Sequence, residues 1–95
     1  MTFLLTWQLH EGKLHDTLAH FARMSEHEEQ GLMTDKVRLV GRWHNIVRGS
    51  GAAVFESDSI EALTAYAMQW NRFMDLEISP VVDDAGAREL GKRLQ

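Results

Sequence analysis

Ninety-five residues suffice for one small domain of two packed layers, and leave no room for a catalytic domain beside a separate binding domain. At 44% hydrophobic and 25% charged residues the composition is that of a folded globular chain, and a formal net charge of -4 gives no general attraction to nucleic acid or anionic lipid. Without cysteine there is no disulfide, no thiolate chemistry and no cysteine-bound metal.

The segment from Thr2 to Leu9 alternates Phe3, Leu5, Trp7 and Leu9 with Leu4, Thr6 and Gln8, the period of a strand with one strongly apolar face. It follows Met1 without a basic n-region, and no run approaches the ~20 apolar residues that cross a bilayer, so a cytoplasmic location is expected. A turn at His10-Glu11-Gly12 leads to a helical stripe of Leu14, Leu18, Phe21, Ala22 and Ser25. Glu26 and Glu29 face water in this reading, and Gly31 stops the helix.

Alternation resumes from Lys36 to His44, with Val37, Leu39, Gly41 and Trp43 on one side and Arg38, Val40, Arg42 and His44 on the other. A glycine-containing connection from Asn45 to Gly51 joins it to a strand at Ala52 to Glu56, as a hairpin. Ser57 or Asp58 is placed to cap a second helix, whose inner face carries Ile60, Leu63, Ala67 and Trp70, widened by Tyr66 and Phe73. A last strand spans Asp75 to Val82, with Pro80 favouring an edge. Residues 83–95 form a C-terminal tail or short helix with Leu90 and Leu94 available for docking. The expected fold class is α+β, a ferredoxin-like β-α-β-β-α-β antiparallel sheet in one domain over residues 1–95, with both crossovers on the same face.

The apolar rows pack beneath the helices, which leaves Leu4, Thr6, Gln8, Val40, Arg42, His44, Val54 and Glu56 on the reverse face. That mixture is too apolar to be wet throughout, so a homodimer is expected to shelter it and to create a pocket there.

Three stretches carry a family resemblance. Trp70-Asn71-Arg72-Phe73-Met74-Asp75-Leu76-Glu77-Ile78-Ser79-Pro80-Val81 is similar to the helix-end tryptophan and terminal Pro-Val strand of a domain-of-unknown-function family in the dimeric α/β barrel superfamily. Val40-Gly41-Arg42-Trp43 and Ala53-Val54-Phe55-Glu56-Ser57-Asp58 resemble its second and third strands. The resemblance implies a dimeric α/β barrel, distantly similar to muconolactone isomerases and antibiotic biosynthesis monooxygenases, and supplies no established reaction.

The chemical candidates are His44, Arg42 and Glu56. If Arg42 lies opposite Glu56 in the hairpin, His44 can transfer a proton, Arg42 can hold a carboxylate or oxyanion, and Glu56 can orient them. The plainer alternative is a cross-strand ion pair between Arg42 and Glu56, with His44 filling a turn or interface. Thr6, Gln8 and Trp43 are the ligand-contact candidates, whereas Trp7 and Trp70 are expected in the core. The five histidines lack a metal-site pattern, and neither a phosphate loop nor a basic aromatic surface is present, so no metal, cofactor, nucleic-acid or membrane partner is expected. Three readings stand: a binder of a small organic metabolite, a cofactor-independent isomerase or monooxygenase acting on a small cyclic or aromatic compound, and a non-catalytic structural or protein-interaction module.

Overall fold

The computed structural model describes residues 1–95, in the order β1 (Thr2–Leu9), α1 (Leu14–Arg23), α2 (Glu26–Met33), β2 (Val37–Asn45), β3 (Ser50–Ser57), α3 (Ile60–Met68), β4 (Met74–Val81) and α4 (Asp84–Lys92). The strands pair antiparallel in the order β2-β3-β1-β4, the ferredoxin-like arrangement. Phe3 and Leu5 of β1, Ala53 and Phe55 of β3, and Leu63, Tyr66 and Ala67 of α3 form one buried cluster, joined by Met33, Val37, Trp70 and Met74. Burying such side chains contributes roughly 1.5–3 kcal/mol each for the larger ones, which fixes α1, α2 and α3 on a single face of the sheet.

Four expectations require correction. The sheet is open, with β2 and β4 as unpaired edges, so the dimeric α/β barrel implied by the resemblance is not the architecture of this chain. The first helical region is two helices. Met24 and Ser25 adopt extended backbone, and Ser25 starts α2 with a reciprocal capping box in which its hydroxyl accepts from the Glu28 amide and the Glu28 carboxylate accepts from the Ser25 amide. Its companion α3 is capped by Ser59, whose hydroxyl accepts from the Ala62 amide at 3.1 Å, and not by Ser57 or Asp58. Ser57 is occupied otherwise: its hydroxyl donates to the Lys36 carbonyl at 2.7 Å and ties β3 to the entry of β2. Finally, α4 has no buried residue. Leu90 and Leu94 do not dock, and Leu94 is 89% exposed.

A fifth departure decides where the polar side chains go. The β2-β3 ladder is regular from Val37↔Ser57 to Leu39↔Phe55, then skips Val40 and continues with Gly41↔Val54, Arg42↔Ala53, Trp43↔Ala52 and His44↔Gly51. This is a β-bulge, one extra residue opposite none. Strict alternation from Leu39 would send Gly41 and Trp43 to the helix-covered face. The extra residue inverts the assignment, so Arg42 and His44 join Ala53 and Phe55 beneath the helices while Trp43 emerges on the uncovered side. Two glycines make room for the aromatic rings that result. A Cβ at Gly51 would sit 2.1 Å from the ring of Trp7, and one at Gly41 would sit 2.6 Å from the ring of Trp43.

Candidate functional site

A cleft opens between the covered face of the sheet and the helices α1 and α3. Eleven of its fourteen lining residues are hydrophobic, and the three that are not are Thr17, Arg42 and His44. The space between atoms is about 570 Å³ when the open mouth is counted, but a ligand atom's centre can range over only about 70 Å³. An apolar cavity of roughly 150 Å³ admits benzene. The inner part of this one therefore has room for no more than a small group, and the wider space is at the mouth.

Arg42 is the organising residue. Its Nη2 donates to Glu29 Oε1 of α2 at 2.7 Å, its Nη1 donates to Tyr66 Oη of α3 at 3.3 Å, and its guanidinium lies 4.8 Å from the ring centre of Phe21 of α1. One side chain from a sheet edge thus touches all three covering helices. The pair is withdrawn from solvent, with side-chain exposures of 17% for Arg42 and 8% for Glu29. Removing charges from water carries a penalty of several kcal/mol per ion, offset here by short charge-assisted hydrogen bonds in good geometry.

The neighbouring titrations follow from this arrangement. Burial, and secondarily the Glu29 carboxylate, push the Tyr66 hydroxyl up to about 12, so the phenol keeps its proton. Burial and the adjacent Arg42 charge hold His44 below its ordinary 6.5, against the smaller opposing pull of Glu29. His44 stands at the cleft rim between two rings, 5.4 Å from Trp7 edge-on and 5.5 Å from Phe21.

Three buried side-chain atoms in this region lack any hydrogen-bond partner: Thr17 Oγ1, Trp70 Nε1 and Glu29 Oε2. The Trp70 indole nevertheless lies close enough to Tyr66 to act on its titration, short of hydrogen-bond geometry. Each such orphan costs about 1–3 kcal/mol. Native interiors rarely carry them without reason, and here two of the three residues, Thr17 and Trp70, line the same cleft.

The structure brings together only part of the sequence-derived constellation. Arg42 and His44 share the cleft, but Glu56 does not: it sits on the uncovered face opposite Thr2 and Arg38, where the Thr2 hydroxyl donates to its carboxylate. Thr6 and Gln8 also lie on the uncovered face, and the Gln8 amide donates to the Arg48 carbonyl at 2.8 Å. Trp43 is there too, 65% exposed. The cleft within the chain itself is on the opposite side of the sheet from the face where a dimer-enclosed pocket was expected, beneath the helices. Trp7 and Trp70 both pack with the core.

A family described as Domain of unknown function (DUF3303) matches residues 1–95. The chain belongs to this family. The resemblance drawn from Trp70 to Val81 thus leads to a DUF3303 domain, while its attachment to the dimeric α/β barrel superfamily is overturned by the open sheet. No curated protein matches significantly. Among solved structures, an uncharacterized NIPSNAP domain protein from Burkholderia xenovorans is similar, with a TM-score of 0.48 and 16% identity over 88% of this chain and 97% of that one.

Glu29, Tyr66 and Thr17, which this DUF3303 domain gathers around Arg42 and the cleft, were not among the candidates read from the sequence. The signal for Glu29 was present in the sequence: Ser25-Glu26-His27-Glu28 is a capping box, and restarting the helix there turns Glu29 and Met33, four residues apart, to the interior together. Nothing comparable marks Thr17, whose residue type is common on exposed helix surfaces.

Proposed function

We propose that this domain binds a small organic molecule in the cleft beneath its helices. The observation that carries this reading is the combination in one place of an apolar lining with buried, unpartnered polar atoms. An interior filled for stability alone would place apolar atoms at Thr17, whereas a binding site retains the hydroxyl for its ligand. Arg42 and His44 are proposed as ligand-contacting residues, Arg42 as a fixed donor and His44 as an imidazole at the mouth that burial and Arg42 keep in its neutral form. Binding is the function proposed, and the domain is proposed to act in the cytoplasm.

The test is a nitrogen-15 NMR titration with small ring compounds at millimolar concentration, accompanied by thermal unfolding. Shifts concentrated on Arg42, Tyr66 and the Trp70 indole, with a rise in Tm that is lost in Thr17→Leu, are expected. Shifts confined to Thr6, Gln8 and Trp43, or a Tm rise undiminished in Thr17→Leu, would overturn the proposed location.

A second copy of the chain is proposed as the partner of the uncovered face. Val40, Trp43 and Val81 are 51, 65 and 37% exposed, apolar surface on this face that a second copy would cover. Sedimentation velocity should give twice the chain mass, reverting to a single chain in Trp43→Glu; a single chain for the unaltered protein at tens of micromolar would refute it.

A further inference from the structure

The hydrogen-bonding groups that reach the cleft are unequally divided between donors and acceptors. The Trp70 indole can only donate, and although it lies near the Tyr66 oxygen it is not in hydrogen-bond geometry with it. Tyr66 Oη already accepts from Arg42, which leaves its own hydrogen uncommitted, and no group in the protein accepts it. The Thr17 hydroxyl is likewise without a partner, although a helical threonine commonly donates to the carbonyl one turn back. No carboxylate lines the cleft: Glu29 lies behind Arg42, with one oxygen engaged by the guanidinium. The inner lining therefore offers two donors and a hydroxyl and no carboxylate, and the one imidazole acceptor, His44, stands out at the rim.

The charge balance points the same way. The one permanent cation in the cleft is matched by Glu29 at 2.7 Å. A carboxylate entering this apolar space would give up its hydration without meeting a net positive charge, and an ammonium would find no free carboxylate in the lining. A neutral acceptor meets neither difficulty.

We infer that the buried end of the ligand is an uncharged carbonyl oxygen on an apolar skeleton, as in a ketone, aldehyde, ester or quinone, received by the Trp70 N–H and the Tyr66 O–H. This inference rests on the binding reading above and specifies its chemistry. A carbonyl oxygen has two lone pairs in one plane, so it can take both donors at once. A hydroxyl of the same size would bring a hydrogen for which the inner end of the cleft has no carboxylate or imidazole acceptor, His44 being at the rim. The aromatic walls Trp7, Phe21 and Phe55 suit a planar skeleton leading out to the mouth.

Four probes with nearly the same skeleton test the assignment on the whole chain: acetophenone, 1-phenylethanol, ethylbenzene and benzoate, each titrated by NMR. Acetophenone is expected to bind at least tenfold more tightly than ethylbenzene or benzoate and several-fold more tightly than 1-phenylethanol, and to move the Trp70 indole N–H resonance downfield. The preference over ethylbenzene should shrink several-fold in Tyr66→Phe, and also in Trp70→Phe where that variant folds, while ethylbenzene binding changes little. Equal or tighter binding of ethylbenzene, 1-phenylethanol or benzoate would overturn the carbonyl assignment and leave cleft binding intact, as would a preference that survives Tyr66→Phe. If none of the four probes perturbs a cleft resonance, the binding reading falls and the carbonyl assignment falls with it.

Discussion

Arg42 and Trp43 are adjacent in the chain and occupy opposite surroundings. Arg42 lies under three helices with its charge matched, and Trp43 lies on bare sheet with most of its surface in water. On the covered side polar groups are scarce and each is either tightly paired or conspicuously unpaired. On the uncovered side they are numerous and ordinary, as with Glu56 beside Thr2 and Gln8 on a loop carbonyl. The same residue types thus carry different information on the two faces. An arginine on the wet side would say little, whereas one beneath the helices, held by Glu29, Tyr66 and Phe21, defines a place.

That contrast can be broken most forcefully at its buried charges. Arg42→Ala strands Glu29 without a counter-charge and should cost about 3–5 kcal/mol in urea unfolding. The double substitution Arg42→Met with Glu29→Leu should recover most of that, since apolar replacement of a buried pair is often neutral. A double variant no more stable than Arg42→Ala alone would show that the pair does more than balance itself.

Tryptophan substitutions compare the faces directly. Trp70→Ala, at a position 7% exposed, should cost about 3–5 kcal/mol. Trp43→Ala should cost under about 1 kcal/mol when measured below the concentration at which chains associate. Similar losses at the two sites would erase the distinction.

Titration gives an intermediate effect. Tyr66 holds its proton longer in the folded state than in the unfolded chain, so its contribution is fully present below pH 10 and lost as pH rises from 10 toward about 12. The loss should be on the order of 2–3 kcal/mol and absent in Tyr66→Phe. His44 acts at the other end: its neutral form is favoured by folding, so stability falls as pH drops below 6.5 toward its lower folded-state value, and His44→Gln should flatten that part of the profile.

The smallest effect is expected at Thr34, whose backbone has φ 63° and ψ -170°, a region that suits glycine. Thr34→Gly should stabilise by up to about 1 kcal/mol, less the hydrogen bond that its hydroxyl accepts from the Lys36 amide at 3.2 Å. A destabilised variant would mean that this hydrogen bond outweighs the backbone strain.

Much of the architecture was legible because it follows from periodicity. Phe3 and Leu5 two apart, and Leu63, Tyr66, Ala67 and Trp70 at three- and four-residue steps, announce which surfaces seek each other, and the ferredoxin-like order follows. The site was less legible for a specific reason. A period-two pattern carries its phase forward from residue to residue, and the extra residue Val40 resets that phase without a proline or an unusual composition to mark the event. Arg42, His44 and Trp43 were consequently assigned to the wrong sides, and Glu56 was matched to Arg42 when its cross-strand neighbour is Arg38. Glu29 failed differently, through a helix break whose capping signature was present and whose consequence is a change of rotational phase in the second half.

Both margins of the open sheet also bear on how the protein behaves in a crowded solution. An uninterrupted outer strand invites another chain to zip on, the first step toward fibrous aggregates. Here one margin has its spacing of amides disrupted at Val40, and the other contains Pro80, which has no amide hydrogen to offer. Neither border presents an unbroken template, so growth by strand addition is discouraged at both ends of the sheet.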